Sequence, residues 1–357
     1  METERTTVKE IARLAGVSIG TVDRVLHDRG GVSPETKEKV EEIIISLGYE
    51  PNILARQLSL NRTYSLRAVL PRADQDSGYW SLCLAGLRRA ERDLAPYRAR
   101  LRIDEFDCYD RIAYRRLLED IVADPCDGLL FAPALPEELE SAIGLLGPVP
   151  YAFFDSEVEG ASPVASIAQD PFRGGYLAGR LMSLLSMPGK PLIALSAHAG
   201  NRHIARRIEG FKAFFAEAGR AEVESAECRD LESPQECDRF LSGLFDGRPD
   251  IGGVLVANSS GHLVGDWLAG RGLKEGCAVV SWDLVSANAR ALREGTIDCV
   301  VSQRPAEQAR EALERLFRAV ASGEGGAGES GSRVAPAIPL EVYFKENIPD
   351  GASSDGA

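Results

Sequence analysis

From Tyr64 to Ile348 short, unbroken apolar runs alternate with longer amphipathic segments. Few folds other than parallel sheets covered by helices accommodate that alternation. The runs LRAVL (66–70), LRIDEFD (101–107), DGLLFAP (127–133) and VPYAFFD (149–155) are separated by expected helices near 82–94, 112–123 and 136–146. A second series follows: VASIA, a helix at 171–185, LIALSA, a helix at 202–218, EVESAEC, a helix at 234–245, GGVLVAN, a helix at 261–270 and AVVSWD. VVSQ, a helix at 305–321 and LEVYFKENI close it. Two doubly wound α/β lobes in one chain imply a cleft between them, with ligand held beyond the carboxyl ends of the strands. The Gly/Ser-rich run 322–332 reads as a flexible surface loop before the last strand.

Residues 6–58 have a different period. Thr7-Val8-Lys9-Glu10 has the form of a capping box. Ile11, Leu14 and Ala15 share one apolar face with Val8, Gly16 can stop the helix, and Ser18 can cap the next. Val22, Val25 and Leu26 then point inward. A third helix starts at Ser33 with Pro34 in the first helical position, and Val40, Ile43, Ile44 and Leu47 form its core stripe. Two helices three residues apart, joined by a turn with a glycine, make a helix-turn-helix. Ile19, Gly20, Arg24 and His27 lie on the outer face of the second helix, whose width suits the DNA major groove. On pattern alone, a helical bundle without a DNA role remains open.

The stretch Thr7 to Leu58 closely resembles the headpiece of the lactose-repressor (LacI/GalR) family of bacterial transcription regulators. The match runs through Val8, Ile11, Ala12, Ala15-Gly16-Val17-Ser18, Thr21-Val22, Arg24-Val25-Leu26, Val32-Ser33, Thr36, Val40, Leu47-Gly48-Tyr49, Pro51-Asn52 and Ala55-Arg56-Gln57-Leu58. The resemblance implies a DNA-binding set of Thr7, Ser18, Ile19, Gly20, Thr21, Arg24, His27, Asn52, Ala55, Arg56 and Leu58. In it Ile19, Gly20 and Arg24 read bases, Asn52 to Leu58 form a hinge helix, and Leu58 wedges into the minor groove. The expected domains are a headpiece (1–50), a hinge helix and linker (51–65), a two-lobed ligand-binding and dimerisation body (66–349) and a disordered tail (350–357).

The body resembles that family's effector domain, itself similar to periplasmic sugar-binding proteins. Asp170-Pro171-Phe172-Arg173-Gly174-Gly175 opens the helix after the lobe crossing, and Arg207 precedes Gly210-Phe211. Asn258 ends a strand where the family has Asn-Asp, with Ser259 in place of the Asp, and Asp283 and Gln303 follow later strands. The resemblance implies that Tyr79, Trp80, Asp155, Arg207, Asn258, Asp283 and Gln303 bind the ligand. Their chemistry fits a sugar or polyol: carboxylate, amide and guanidinium groups pair with vicinal hydroxyls, and an aromatic face covers the C–H surface. Taken singly, Tyr79 or Trp80 is more often core, and Asp155 could equally cap a helix or sit in a loop. Arg202, His203 and Arg206 read as a solvated face, though one of them could take the place of Arg207.

Charge restrains the DNA reading. The net charge is -13, yet Met1 to Arg67 hold ten Lys+Arg and ten Asp+Glu, so the excess lies in the body. An acidic body repels DNA, so binding has to come from local, salt-sensitive contacts. Seven scattered cysteines, without a Cys-x-x-Cys pair, fit a reducing compartment, and four dispersed histidines argue against a metal site. No apolar run reaches the roughly 18 residues of a membrane span, and METERTT lacks an export signal. The chain is therefore expected to be cytoplasmic. No Gly-x-Gly-x-x-Gly after a strand, no Gly-x-Ser-x-Gly and no nucleophile–base pair points to catalysis.

The sequence thus predicts a cofactor-free, non-enzymatic regulator, with no membrane partner, working as a homodimer on palindromic double-stranded operator DNA. Its two heads would sit about 34 to 36 Å apart on half-sites one turn apart. A sugar or polyol between the lobes would control operator affinity. The alternative is a stand-alone sugar-binding module without DNA readout.

Overall fold

The computed structural model describes residues 8–26, 30–47, 62–196, 201–219, 223–248, 250–323 and 338–349. The chain divides into two compact units, residues 1–61 and 62–357.

The first unit packs α1 (Val8–Ala15), α2 (Ile19–Leu26) and α3 (Pro34–Ser46). Gly16, at φ +70°, takes the left-handed conformation that ends α1 without a Cβ penalty. The Ser18 hydroxyl accepts from the Thr21 amide at 3.1 Å and the Ser33 hydroxyl from the Thr36 amide at 3.3 Å, so both serines cap their helices. Ile11, Ala12, Ala15, Val22, Val25 and Val40 form the core, with Ile43 and Ile44 against it. Leu14, expected in that core, is 44% exposed, and Leu47 also lies at the surface. The face of α1 that packs inward runs through 11, 12 and 15, so Ala12 takes the place expected for Leu14. The Thr7 cap, His27, the hinge segment 52–58 and the tail lie outside the described residues.

In the second unit β1 (Tyr64–Pro71), α4 (Tyr79–Leu94), β2 (Ala99–Phe106), α5 (Arg111–Ala123), β3 (Gly128–Phe131), α6 (Pro136–Ile143), β4 (Tyr151–Phe154) and β5 (Ala165–Ile167) come first. Their strands form a parallel sheet in the order β2-β1-β3-β4-β5. Then come α7 (Pro171–Leu185), β6 (Leu192–Ser196), α8 (Arg202–Glu217), β7 (Val223–Glu227), α9 (Pro234–Phe245), β8 (Gly253–Val256), α10 (Gly261–Gly270), β9 (Ala278–Trp282), α11 (Ser286–Glu294), β10 (Cys299–Ser302), α12 (Pro305–Ser322) and β11 (Glu341–Tyr343). The second sheet has the order β11-β10-β9-β8-β6-β7, parallel except for β11. The expected two-lobed, doubly wound α/β architecture is present. β1 starts two residues before the expected start of the body, and α4 begins at Tyr79 rather than near Leu82.

Each lobe takes one helix that directly follows a strand of the other. α7 follows β5 of the first sheet yet packs on α8 and on β8 to β10 of the second. α12 follows β10 of the second sheet yet packs on α4 and on β3 to β5 of the first. The α7–α8 contact is close enough that a Cβ on Gly175 would collide with the Arg207 carbonyl, and one on Gly210 with the Phe172 carbonyl. Glycine at both places lets the two backbones meet and fixes Arg207.

α11 was not expected from sequence. Its apolar content is mainly alanine, and Ala289, Ala291 and Leu292 pack inward while Arg290 and Arg293 flank them. Such small side chains leave a faint helical period.

Candidate functional site

Two pairs of equivalent positions build the site. Asp155 follows β4 and Asp283 follows β9, both left-handed at φ +70° and +53°. Gln169 and Gln303 lie just beyond β5 and β10, each two residues before the proline that opens the crossing helix. The Asp170 carboxylate caps α7, accepting from the amides of Phe172 at 2.9 Å and Arg173 at 3.1 Å. The turn holding Asp283 is pinned by the fully buried Asn288 of α11, whose amide donates to the carbonyls of Trp282 at 2.9 Å and Asp283 at 3.0 Å.

Gln303 is the hub. Its Nε2 donates to the Tyr79 hydroxyl at 2.8 Å, Asp283 Oδ2 at 3.1 Å and Asp155 Oδ1 at 3.3 Å. Its Oε1 accepts from Arg207 at 2.8 Å and from Gln169 Nε2 at 3.3 Å. Its backbone amide donates to Asp283 Oδ1 at 3.0 Å, and Gln308 Nε2 holds its carbonyl at 2.7 Å. Tyr79 in turn donates to Asp155 at 2.5 Å. Arg207 reaches the Ala257 carbonyl at 3.0 Å and lies over the Trp282 ring, 4.5 Å from its centroid. Groups from both lobes thus converge on one amide.

Six of the seven expected ligand residues lie in or beside this network: Tyr79, Asp155, Arg207, Asn258, Asp283 and Gln303. Asn258 donates to Ser260 at 3.1 Å and leaves its Oδ1 unpaired. Trp80 has another task, since its indole donates to Asp76 at 2.6 Å. Gln169, Trp282 and His203 belong to the site although sequence reasoning left them out. His203, expected on a solvated face, is half-buried with an unpaired Nε2, whereas Arg202 and Arg206 are exposed and paired with Glu159 and Glu209. His203 and Arg207 stand four apart in α8 and so share one helix face, which is the signal that could have found it.

Burial sets the electrostatics. It raises the Asp283 carboxyl to about 7 against the opposing pull of Arg207, and also raises Asp155, against the opposing hydrogen bond from Tyr79 to its ionised form. Burial, and then Asp155, push the Tyr79 phenol well above its usual value. Burial and the Arg207 charge hold the His203 imidazole well below the usual histidine range, so it is neutral. Among the described residues seven buried polar side-chain atoms lack a partner, and five belong to Gln169, His203, Arg207, Asn258 and Trp282. Leaving such atoms unpaired costs roughly 1 to 3 kcal/mol each. A molecule with several hydroxyls offers the donors and acceptors they need.

The mouth is closed by Asp76-Ser77-Gly78, all left-handed at φ +54°, +56° and +81°. The Ser77 hydroxyl bonds Glu232 at 2.8 Å and Ser260 at 3.0 Å, and its amide also donates to Glu232. Ser259, which stands where the resembled family has Asp, donates to the Asp76 carbonyl at 3.0 Å, so it joins the lobes at the lip. Tyr109 and Trp80 hold the Asp76 carboxylate from the first lobe.

In the first unit Ile19 is 50% exposed, and Gly20 and Arg24 are exposed beside it on α2. The Ser18 and Thr21 hydroxyls bond each other at 2.9 Å at the start of that helix. Both keep lone pairs for a further partner.

A family model described as "Periplasmic binding protein domain" matches residues 68–325, and one described as "Bacterial regulatory proteins, lacI family" matches residues 7–52. Among curated proteins the chain is similar to the HTH-type transcriptional regulator RegA of Clostridium saccharobutylicum, 31% identical over 178 residues, 50% of this chain and 51% of that one. The chain thus spans about half the length of that relative. Among solved structures it is similar to an ABC transporter solute binding protein from Agrobacterium vitis bound with alpha-D-tagatopyranose, with TM-score 0.68, 20% identity, 82% of this chain and 98% of that one. It is also similar to the lac repressor dimer bound to operator and the anti-inducer ONPF, with TM-score 0.62, 19% identity, 95% of this chain and 98% of that one.

Proposed function

Because this chain belongs to the lacI family of bacterial regulatory proteins and its body is a periplasmic binding protein domain, we propose that it is a DNA-binding transcription regulator, acting as a repressor, whose operator affinity a sugar or polyol controls. The observation that carries this reading is Gln303. It sits on a crossing segment and hydrogen-bonds Tyr79 and Asp155 of one lobe and Asp283 and Arg207 of the other. A ligand that takes over those bonds acts on both lobes together.

Two chains pair through their bodies, and the two heads engage the halves of a palindrome in the cytoplasm. Ile19 and Arg24 meet base edges, with Gly20 contributing no side chain, while Ser18 and Thr21 serve the phosphates. Thr7, His27, Asn52, Ala55, Arg56 and Leu58 complete the DNA surface on the strength of the family likeness. Tyr79, Asp155, Arg207, Asn258, Asp283 and Gln303 bind the effector, and Trp80 holds the lip through Asp76. Two relatives lend support: one solute-binding structure contains a sugar, and the lac repressor structure is a dimer on operator.

The test is selection of random duplex DNA by the purified full-length protein, with and without pooled sugars and polyols. Enrichment of a palindrome that changes with the pool is expected. No enrichment in either arm would sink the DNA-reading claim and favour a stand-alone binding module.

A further inference from the structure

The lip is held in a shape that its own backbone resists. Asp76 and Ser77 both carry a Cβ, yet they stand at φ +54° and +56°, in the left-handed region that such residues avoid. Groups of the second lobe hold them there. Glu232 accepts from both the amide and the hydroxyl of Ser77, and the Ser259 hydroxyl donates to the Asp76 carbonyl. Glu232 is placed for this by its neighbours, since Leu231 is buried in the core of the second lobe and Ser233 caps α9. Its own side chain is exposed, so the fold of its lobe does not need it.

Proton directions along this contact are fixed. A carboxylate only accepts, so the Ser77 hydroxyl gives its one proton to Glu232 at 2.8 Å. Ser260, 3.0 Å away, then donates to Ser77, and Asn258 Nδ2 donates to Ser260 at 3.1 Å. All the bonds of the chain therefore run one way, from Asn258 to Glu232. The same direction fixes the Asn258 amide with its nitrogen toward the lip, and its Oδ1 is the atom without a partner.

We propose that Glu232, outside the set that binds the effector, is a positioning residue: it latches the two lobes through Ser77, and the chain Asn258–Ser260–Ser77–Glu232 ties this latch to the amide that meets the effector. The role of Asn258 rests on the reading of the cleft as the effector site; the latch itself does not. A hydrogen bond accepted at Asn258 Oδ1 polarises the amide and strengthens each bond of a chain that runs one way. An effector hydroxyl that donates there tightens the lip at the far end of the chain. Without the Glu232 oxygen the Ser77 amide and hydroxyl lose their acceptor, and residues 76–78 relax toward right-handed backbone.

The test is hydrogen–deuterium exchange of the full-length protein, read by mass spectrometry on peptides covering 75–78, with peptides from β3 and β8 reporting the cores of the two lobes. Glu232→Ala is expected to speed exchange at 75–78 ten-fold or more and to leave β3 and β8 unchanged. Glu232→Gln keeps an oxygen that accepts both Ser77 bonds and is expected to stay within three-fold of the wild type. Unchanged exchange at 75–78 in Glu232→Ala overturns the latch, and so does an equal rise in all three regions, which would report lost global stability. Glu232→Gln exchanging as fast as Glu232→Ala overturns the hydrogen-bond assignment. For the chain, Asn258→Ala is expected to speed exchange at 75–78 three-fold or more in the wild-type background and not at all in a Ser260→Ala background. Equal effects in the two backgrounds overturn the tie to Asn258. Should Asn258→Ala not fold, Asn258→Asp, which lacks the donor, takes its place. No arm uses a sugar, so failure of the latch leaves the polyol reading where it stands.

Discussion

Asp283 shows how one residue can link site chemistry to stability. Its carboxyl titrates near 7 in the folded protein against about 3.9 in an unfolded chain. The native state therefore holds a proton that the unfolded chain releases between those values, and stability falls as pH rises from about 4 to about 7. Urea unfolding at pH 5 and pH 7 is expected to show Asp283→Asn flattening that fall by about 2 kcal/mol. An unchanged slope would mean that the neighbouring Arg207, Asp155 and Tyr79 compensate the charge in full. Arg207, Asp283 and Gln303 were legible in the sequence because each stands where a strand ends or a motif places it. Gln169 was missed although Gln169-Asp170-Pro171 and Gln303-Arg304-Pro305 share a pattern, and a comparison of the two crossings would have exposed it. The lip pairing of Ser77 with Glu232 joins residues 155 apart in sequence, and no local pattern carries it.

At the scale of elements, strands and long helices were readable from their periods, since a covered parallel strand is apolar throughout and a half-exposed helix repeats its apolar face. α11 escaped because alanine contributes little to such a period, and Leu14 was misplaced because two faces of α1 are apolar enough to compete. Helix spacing depends on glycine where α7 meets α8. Gly210→Ala puts a Cβ against the Phe172 carbonyl and the Tyr176 amide, and the backbones have to part. A loss of about 2 kcal/mol is expected from such overpacking, with weaker sugar binding because Arg207 lies one turn earlier. Gly243→Ala in α9, whose new Cβ meets nothing within 4 Å, is the control and is expected to be neutral or slightly stabilising. Thermal melts and calorimetric titrations read both variants, and equal losses would show that helix contact is not the cause.

For the whole molecule, the regulator reading requires linkage between two distant sites. Operator DNA has to change effector affinity by the same factor by which effector changes operator affinity. Calorimetric titrations with and without operator measure the first factor and DNA-binding titrations the second; equal effector affinities in both conditions would rule the linkage out. The neutral head on an acidic body also predicts steep loss of operator affinity with salt. Composition made that charge division visible, and the two-lobed fold was visible as well, but the exchange of helices between lobes was not, because it joins distant segments. That exchange orders events during synthesis. In the first lobe the face of β3 to β5 that α12 covers stays open until α12, ending at Ser322, has left the ribosome, whereas the three helices of the head are complete by Ser46. A chain interrupted anywhere between the two is left with a finished head on an unfinished body.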